Sequence, residues 1–268
     1  MQYPNARQFC RARLTSPRII VSTAPVFLVC LMLYACSGDD LTASKTESPE
    51  SNWATPDRSV GAIHNDILKV YHTAHANGSQ SAAQQKTALK DAVLYQAAID
   101  TEGDELIIAE IEAFFDEGHY ATIEERLAET YTLVKSGHPD PESVAGLLEG
   151  WGVATDEADE LGATIAFALL SSGMSQSVAR ARSLGSPAAT VFADVLHNSA
   201  EYWTSDSSSA RRIEDDSEVI IADAGGAIAG LPFGVIGSII GAAVYSVLWN
   251  EATAYEDRNS GGGCGSCH

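Results

Sequence analysis

The last five residues, Cys264-Gly265-Ser266-Cys267-His268, hold the sharpest chemical pattern in the chain. Two thiols three positions apart, with an imidazole beside the second, fit C-x-x-C-H. In that pattern both sulfurs bond the vinyl groups of a haem and the histidine ligates its iron. Packed apolar chain normally surrounds such a haem, whereas Ser260-Gly261-Gly262-Gly263 precedes this run. The expectation is therefore a glycine-rich tail in which Cys264 and Cys267 pair with each other in an oxidising compartment. Metal binding or thiol exchange by the two thiols and covalent haem c with His268 as ligand are the alternatives. No other cofactor is expected.

Three further histidines share one side of a helix, because His64, His72 and His75 stand at i, i+8 and i+11. A metal would need carboxylates converging on them, and Asp66 lies off that face. They read as partly exposed or core-edge imidazoles. Two acidic clusters, Glu110, Glu112, Asp116, Glu117 and Asp156, Glu157, Asp159, Glu160, lack the D-x-D-x-D-G loop of a calcium site and read as solvated faces. The chain has no G-x-S-x-G, no H-E-x-x-H, no Walker loop and no dinucleotide-binding glycine loop. The expectation is a protein that is not an enzyme.

Cys36 is the other residue with evident chemistry. Residues 1–18 carry Arg7, Arg11, Arg13 and Arg18 and no acid, and residues 19–35 are uncharged and mostly apolar. A basic region followed by an apolar one marks a secretory signal. The sequence Leu33-Tyr34-Ala35-Cys36 at its end resembles the lipobox of bacterial lipoproteins, with Tyr34 departing from the usual small residue. The resemblance implies cleavage before Cys36 and acylation of its thiol. Each buried methylene contributes roughly 0.8 kcal/mol, so several acyl chains moor a protein stably. Ser37 after the cysteine resembles an outer-membrane sorting signal, and Ser37-Gly38-Asp39-Asp40 resembles the surface-export signal of Bacteroidetes-like lipoproteins. The implied location is the bacterial outer membrane, facing the periplasm or the outside.

The chain has 268 residues, with 16 Lys+Arg against 36 Asp+Glu and a formal net charge of −20. Nucleic acid is excluded as a partner, because binding it takes a basic face. Losing residues 1–35 leaves 12 basic against 36 acidic residues, a net charge of −24. No cysteine lies between Cys36 and Cys264, so no disulfide forms within the body.

The body must position whatever the chain binds, and its apolar residues recur at helical spacing. Ile63, Ile67, Val70, Tyr71 and Ala74 trace one helix face, and Asn77-Gly78 closes it. Further helices are predicted over about 81–99, 104–117, 121–136, a short one from Asp140-Pro141-Glu142 to Gly150, one from Thr155 to about Ser171, and over 174–184 and 187–203. Asp140 is a suitable N-cap with Pro at the first position. No period-2 strand is evident. The expected fold class is all-α: a helical bundle or array ending in a glycine-rich apolar helical hairpin. The expected organisation is 1–35 signal peptide, 36–60 flexible tether, 61–218 helical domain, 219–250 glycine-spaced apolar segment and 251–268 flexible Gly/Cys tail.

Residues 224–249 hold no charge. As one helix they would be roughly 39 Å long, enough to cross a bilayer core. Gly226, Gly230 and Gly234 are spaced by four, as are Gly237 and Gly241, which lets backbones approach closely. The stretch resembles glycine-zipper segments and the apolar regions of some bacteriocins. Three placements are open: a hairpin broken near Pro232 and packed in its own domain, insertion in a membrane, or docking on a protein partner. Together with Tyr202-Trp203, Ile63-His64-Asn65 and the run Ile221-Ala222-Asp223-Ala224-Gly225-Gly226, the chain resembles an uncharacterised family of Bacteroidetes-type lipoproteins. That resemblance implies no catalytic residues. The functional expectation is a lipid-anchored envelope protein with a structural or interaction role; the alternatives are membrane activity through residues 219–249 and a haem or redox carrier.

Overall fold

The structure is a computed structural model and describes residues 53–55, 58–75, 80–136, 139–170, 173–205 and 213–260. The described residues belong to one compact unit. They form α1 (Val60–His75), α2 (Ala82–Asp100), α3 (Glu105–Asp116), α4 (His119–Lys135), α5 (Pro141–Gly150), α6 (Thr155–Leu170), α7 (Met174–Leu184), α8 (Pro187–Ser205), α9 (Ile213–Gly230) and α10 (Gly234–Ser260). Among them there is no strand, only an isolated bridge between Thr55 and Arg58. The fold is all-α.

Local chemistry sets the boundaries. Ser81 forms a capping box with Gln84 at the start of α2, and Asp104 and Asp140 accept backbone N–H groups opening α3 and α5. Pro141 takes the first position of α5, where its missing N–H costs nothing.

The centre is the pair α9 and α10. A single 3₁₀ turn, Leu231–Phe233, separates them, and Gly234 takes φ +78° to redirect the chain. The arms run antiparallel: Gly226 faces Gly241 and Gly230 faces Gly237 so closely that a Cβ on either Gly226 or Gly230 would strike the opposite backbone. The apolar residues of both arms, from Val219 to Trp249, are almost all buried. Helix α8 packs along α9, and α1 packs on α8 and α10. The α5–α6 pair and α7 complete one side, while α2, α3 and α4 close the other. Arg126 of α4 donates to the Ala229 carbonyl, satisfying a free acceptor in the last turn of α9. Its guanidinium stands 5.9 Å from the Trp151 ring and 5.7 Å from that of Phe233.

Three boundaries differ from expectation. Trp53 is buried, with Nε1 donating to Asp100 Oδ2 at 3.0 Å, and Arg58 pairs with Asp100 at 2.8 Å. The fold therefore starts inside the expected tether of residues 36–60. Helix α9 starts at Ile213, earlier than the expected apolar boundary at 219, because its polar first turns continue into the apolar run. Helix α10 continues through the expected start of the tail at 251 as far as Ser260, since residues 251–259 contain neither glycine nor proline. The glycine-spaced segment is thus the middle of the fold and not an appendix to it.

Candidate functional site

The strongest concentration of polar chemistry among the described residues lies inside this core. His64 of α1, Ser199 of α8, Asp223 of α9 and Ser246 of α10 are all fully buried, at 0% exposure. Four helices therefore bring polar groups to one interior region. Helical spacing explains how each arrives there. His64 shares the inward face of α1 with Ile63, Ile67 and Tyr71, and Asp223 stands between Ile221, Ala222 and Ala224 in α9.

The hydrogen bonds fix the histidine tautomer. Asn65 Nδ2 donates to the Asn198 carbonyl at 2.8 Å, which turns Asn65 Oδ1 toward His64 Nδ1 at 3.1 Å. An amide oxygen only accepts, so Nδ1 carries the proton and Nε2 is bare in the neutral ring. That bare nitrogen lies 3.9 Å from Asp223 Oδ2, which already accepts from Trp203 Nε1 at 3.0 Å. Two acceptors thus face each other in a dry interior.

A proton resolves the conflict. Burial pushes the Asp223 carboxyl up to about 7, against the lowering effect of Trp203, Ser246 and Ser199. Burial lowers the His64 imidazole to about 4, with the Asn65 hydrogen bond opposing it. Between these values the pair is a neutral imidazole beside a neutral acid. The Ser199 and Ser246 hydroxyls lie close enough to favour the carboxylate, yet neither completes a hydrogen bond by distance and angle, and Asp223 Oδ1 has no partner.

Chemically the arrangement can store one proton and fasten α1, α8, α9 and α10 to one another. It cannot meet a substrate, because its ionisable atoms have no solvent exposure. Elsewhere a cavity of about 40 Å³, lined by apolar residues including Leu147, Leu148, Ile165 and Trp249, lies between α4, α5, α6, α9 and α10. Metabolite pockets run to roughly 300 Å³ or more.

Of the residues singled out in the sequence, Cys36, Cys264, Cys267 and His268 lie outside the described residues. The three histidines of α1 do not form a cluster. His64 is in the core rather than at its edge, His72 meets the Trp203 ring at 6.2 Å, and His75 bonds Gln80 at 3.0 Å. Among the described residues no group of three or more His, Cys, Asp or Glu side chains converges as a metal site. Sequence reasoning missed Asp223: the charge-free stretch begins at Ala224, so this acid looks like its border. The available signal was a lone acid inside Val219-Ile220-Ile221-Ala222-Asp223-Ala224. The three short motifs Ile63-His64-Asn65, Tyr202-Trp203 and Ile221-Ala222-Asp223 are far apart in the chain, and each contributes a member of this cluster.

Comparison with known proteins finds no family model, no curated protein and no solved structure that matches this chain.

Proposed function

We propose that the chain is a lipid-anchored interaction protein of the bacterial cell envelope, acting through its acidic helical surface and not through catalysis. The observation that carries this reading is the fate of the apolar segment. Residues 217–253 are long and apolar enough to cross a membrane by length and composition, yet 72% of the apolar window is buried in the fold's own interior. Its hydrophobicity is already used in packing α9 against α10 and their neighbours. Attachment to a membrane then falls to the Leu33-Tyr34-Ala35-Cys36 motif, which puts the lipid on Cys36, with Ser37 directing the protein to the outer membrane. Metabolic labelling with an alkyne palmitate analogue in bacterial cells tests it. Label on the wild-type chain that disappears in Cys36→Ala is expected. No label, or undiminished label on the variant, overturns the anchor.

The same apolar stretch favours a second reading, membrane activity through residues 219–249. It predicts dye release from liposomes by the chain carrying Cys36→Ala. A sealed core predicts none at neutral pH, because exposing α9 and α10 would open the centre of the fold.

A further inference from the structure

The corner where α2 turns into α3 exposes apolar side chains that the fold does not use. Tyr95 is 58% exposed, Ile99 57% and Leu106 70%. Tyr95 and Ile99 stand at i and i+4, with Ala98 and Glu102 on the same exposed face, while Val93, Gln96 and Ala97 point into the core. The turn is tight. The Asp104 N–H donates to the Thr101 carbonyl at 3.1 Å, and Glu102 and Gly103 both take positive φ, 53° and 79°. Asp104 then accepts the Leu106 N–H at 2.9 Å, which holds the first turn of α3 at the same end as Ile99.

Along the chain, the charge of this corner is acidic, with Arg58 and Lys90 each already paired to one of its carboxylates. From Asp91 to Glu117 the chain has nine acids and no Lys, Arg or His. Asp100 is spent inside, on Arg58, Gln96 and Trp53, and Lys90 reaches Asp116. Glu102 in the turn and Glu105 in the first turn of α3 are exposed, as is Glu112 farther along α3. Single exposed apolar residues are ordinary on soluble proteins, but a group of them rimmed by charge is the anatomy of a docking site.

We infer that Tyr95, Ile99 and Leu106 form the docking surface for a basic amphipathic segment of another protein, whose apolar face covers the three side chains and whose Lys or Arg residues meet the acidic rim. Charge complementarity decides the occupant. A second copy of this chain would bring the same acidic rim to the contact, and an anionic lipid surface would be repelled by it, because like charges placed face to face disfavour association. A helix presenting side chains at i, i+3, i+4 and i+7 matches the spacing of such anchors. This takes the interaction reading one step further, to a surface and a partner chemistry, and its test does not depend on the lipid.

The test uses the mature chain, residues 36–268, carrying Cys36→Ala in solution. The probe is a fluorescein-labelled amphipathic helical peptide of leucine and lysine, and the reading is its anisotropy. The double substitution Ile99→Ser with Leu106→Ser removes only exposed groups and is expected to weaken binding by about tenfold or more. Asp156→Asn with Glu160→Gln, which lowers the charge of a different acidic face, is expected to change it by less than about threefold. Binding should also weaken as salt is raised. Equal affinity for wild type and Ile99→Ser/Leu106→Ser, equal losses in both variants, or no binding by wild type overturns the proposal. So does flotation with phosphatidylglycerol vesicles that Leu106→Ser abolishes, which makes the occupant a membrane. A dimer in sedimentation that the same change dissolves makes it a second copy. Failure of palmitate labelling with intact peptide binding removes the anchor alone; the reverse result removes this surface alone.

Discussion

Relative to the wild type, replacing Asp223 with Asn tilts the stability–pH profile upward with rising pH, and replacing His64 with Gln tilts it downward. In the unfolded chain Asp223 releases its proton near 3.8, in the fold near 7. Between these values the fold holds a proton that the unfolded chain has lost, so this group's contribution declines as pH climbs through the window. His64 has the opposite sign. It is protonated up to about 6.5 when unfolded and only below about 4 in the fold. Between those values the unfolded chain binds the extra proton, so stability grows with pH. At full strength each slope is about 1.4 kcal/mol per pH unit. Over the shared window, about pH 4 to 6.5, the two cancel in the wild type. Each single variant removes one slope and uncovers the other. Urea unfolding at a series of pH values measures this. The slope is the readout, so a lowered baseline in His64→Gln does not disturb it, and Asn at 223 keeps an acceptor for the Trp203 indole. Profiles parallel to wild type in both variants would show that the buried pair does not control the proton balance.

A methyl group at position 230 is expected to do more damage than at any nearby helical position. Gly230 has ordinary helical angles, φ −83° and ψ −18°, so alanine is not strained by its backbone. The obstacle is the opposite helix, where the new Cβ would overlap the Gly237 carbonyl, a backbone group that cannot rotate aside. Relief requires α9 and α10 to part at the centre of the core. Overpacking of this sort costs about 1–3 kcal/mol and at times more, a fall of roughly 2–12 °C in thermal midpoint. Gly225→Ala is the internal control. It lies in the same helix, nothing stands within 4 Å of its added Cβ, and it borders the small apolar cavity. That change is expected to be neutral or to stabilise by up to about 1 kcal/mol through helix propensity. Thermal unfolding followed by circular dichroism compares the two. Similar midpoints for Gly230→Ala and Gly225→Ala would mean that the arms are not in close contact.

The helices were legible because their signals are local. Periodicity placed α1 to α8, and Ser81, Asp140-Pro141 and the glycines after α4 and α5 marked ends that the structure keeps within a few residues. The break between α9 and α10 was visible in Pro232 and the glycines. What could not be read was the use of each face. His64 looks like one of three histidines on an exposed stripe, and only the packing of α1 on α8 and α10 takes it into the core. Asp223 looks like the charge that ends an apolar run. Its burial depends on Trp203 and on the arrival of α1, two contacts made by residues 20 and 159 positions away. Likewise Trp53 sits in a polar stretch, and nothing near it in sequence announces Asp100 as its partner.

That latch at Trp53 has a mechanical consequence if Cys36 carries the lipid. A leash counted to residue 60 has seven more links than one that ends at Trp53. Each extended link spans at most about 3.6 Å, so the early docking of Trp53 and Arg58 shortens the maximum reach by about 25 Å. Arg58 and Asp100 would then help to set how far from a lipid on Cys36 the acidic corner can reach. Loosening them would lengthen that radius without altering a single residue of the contact itself.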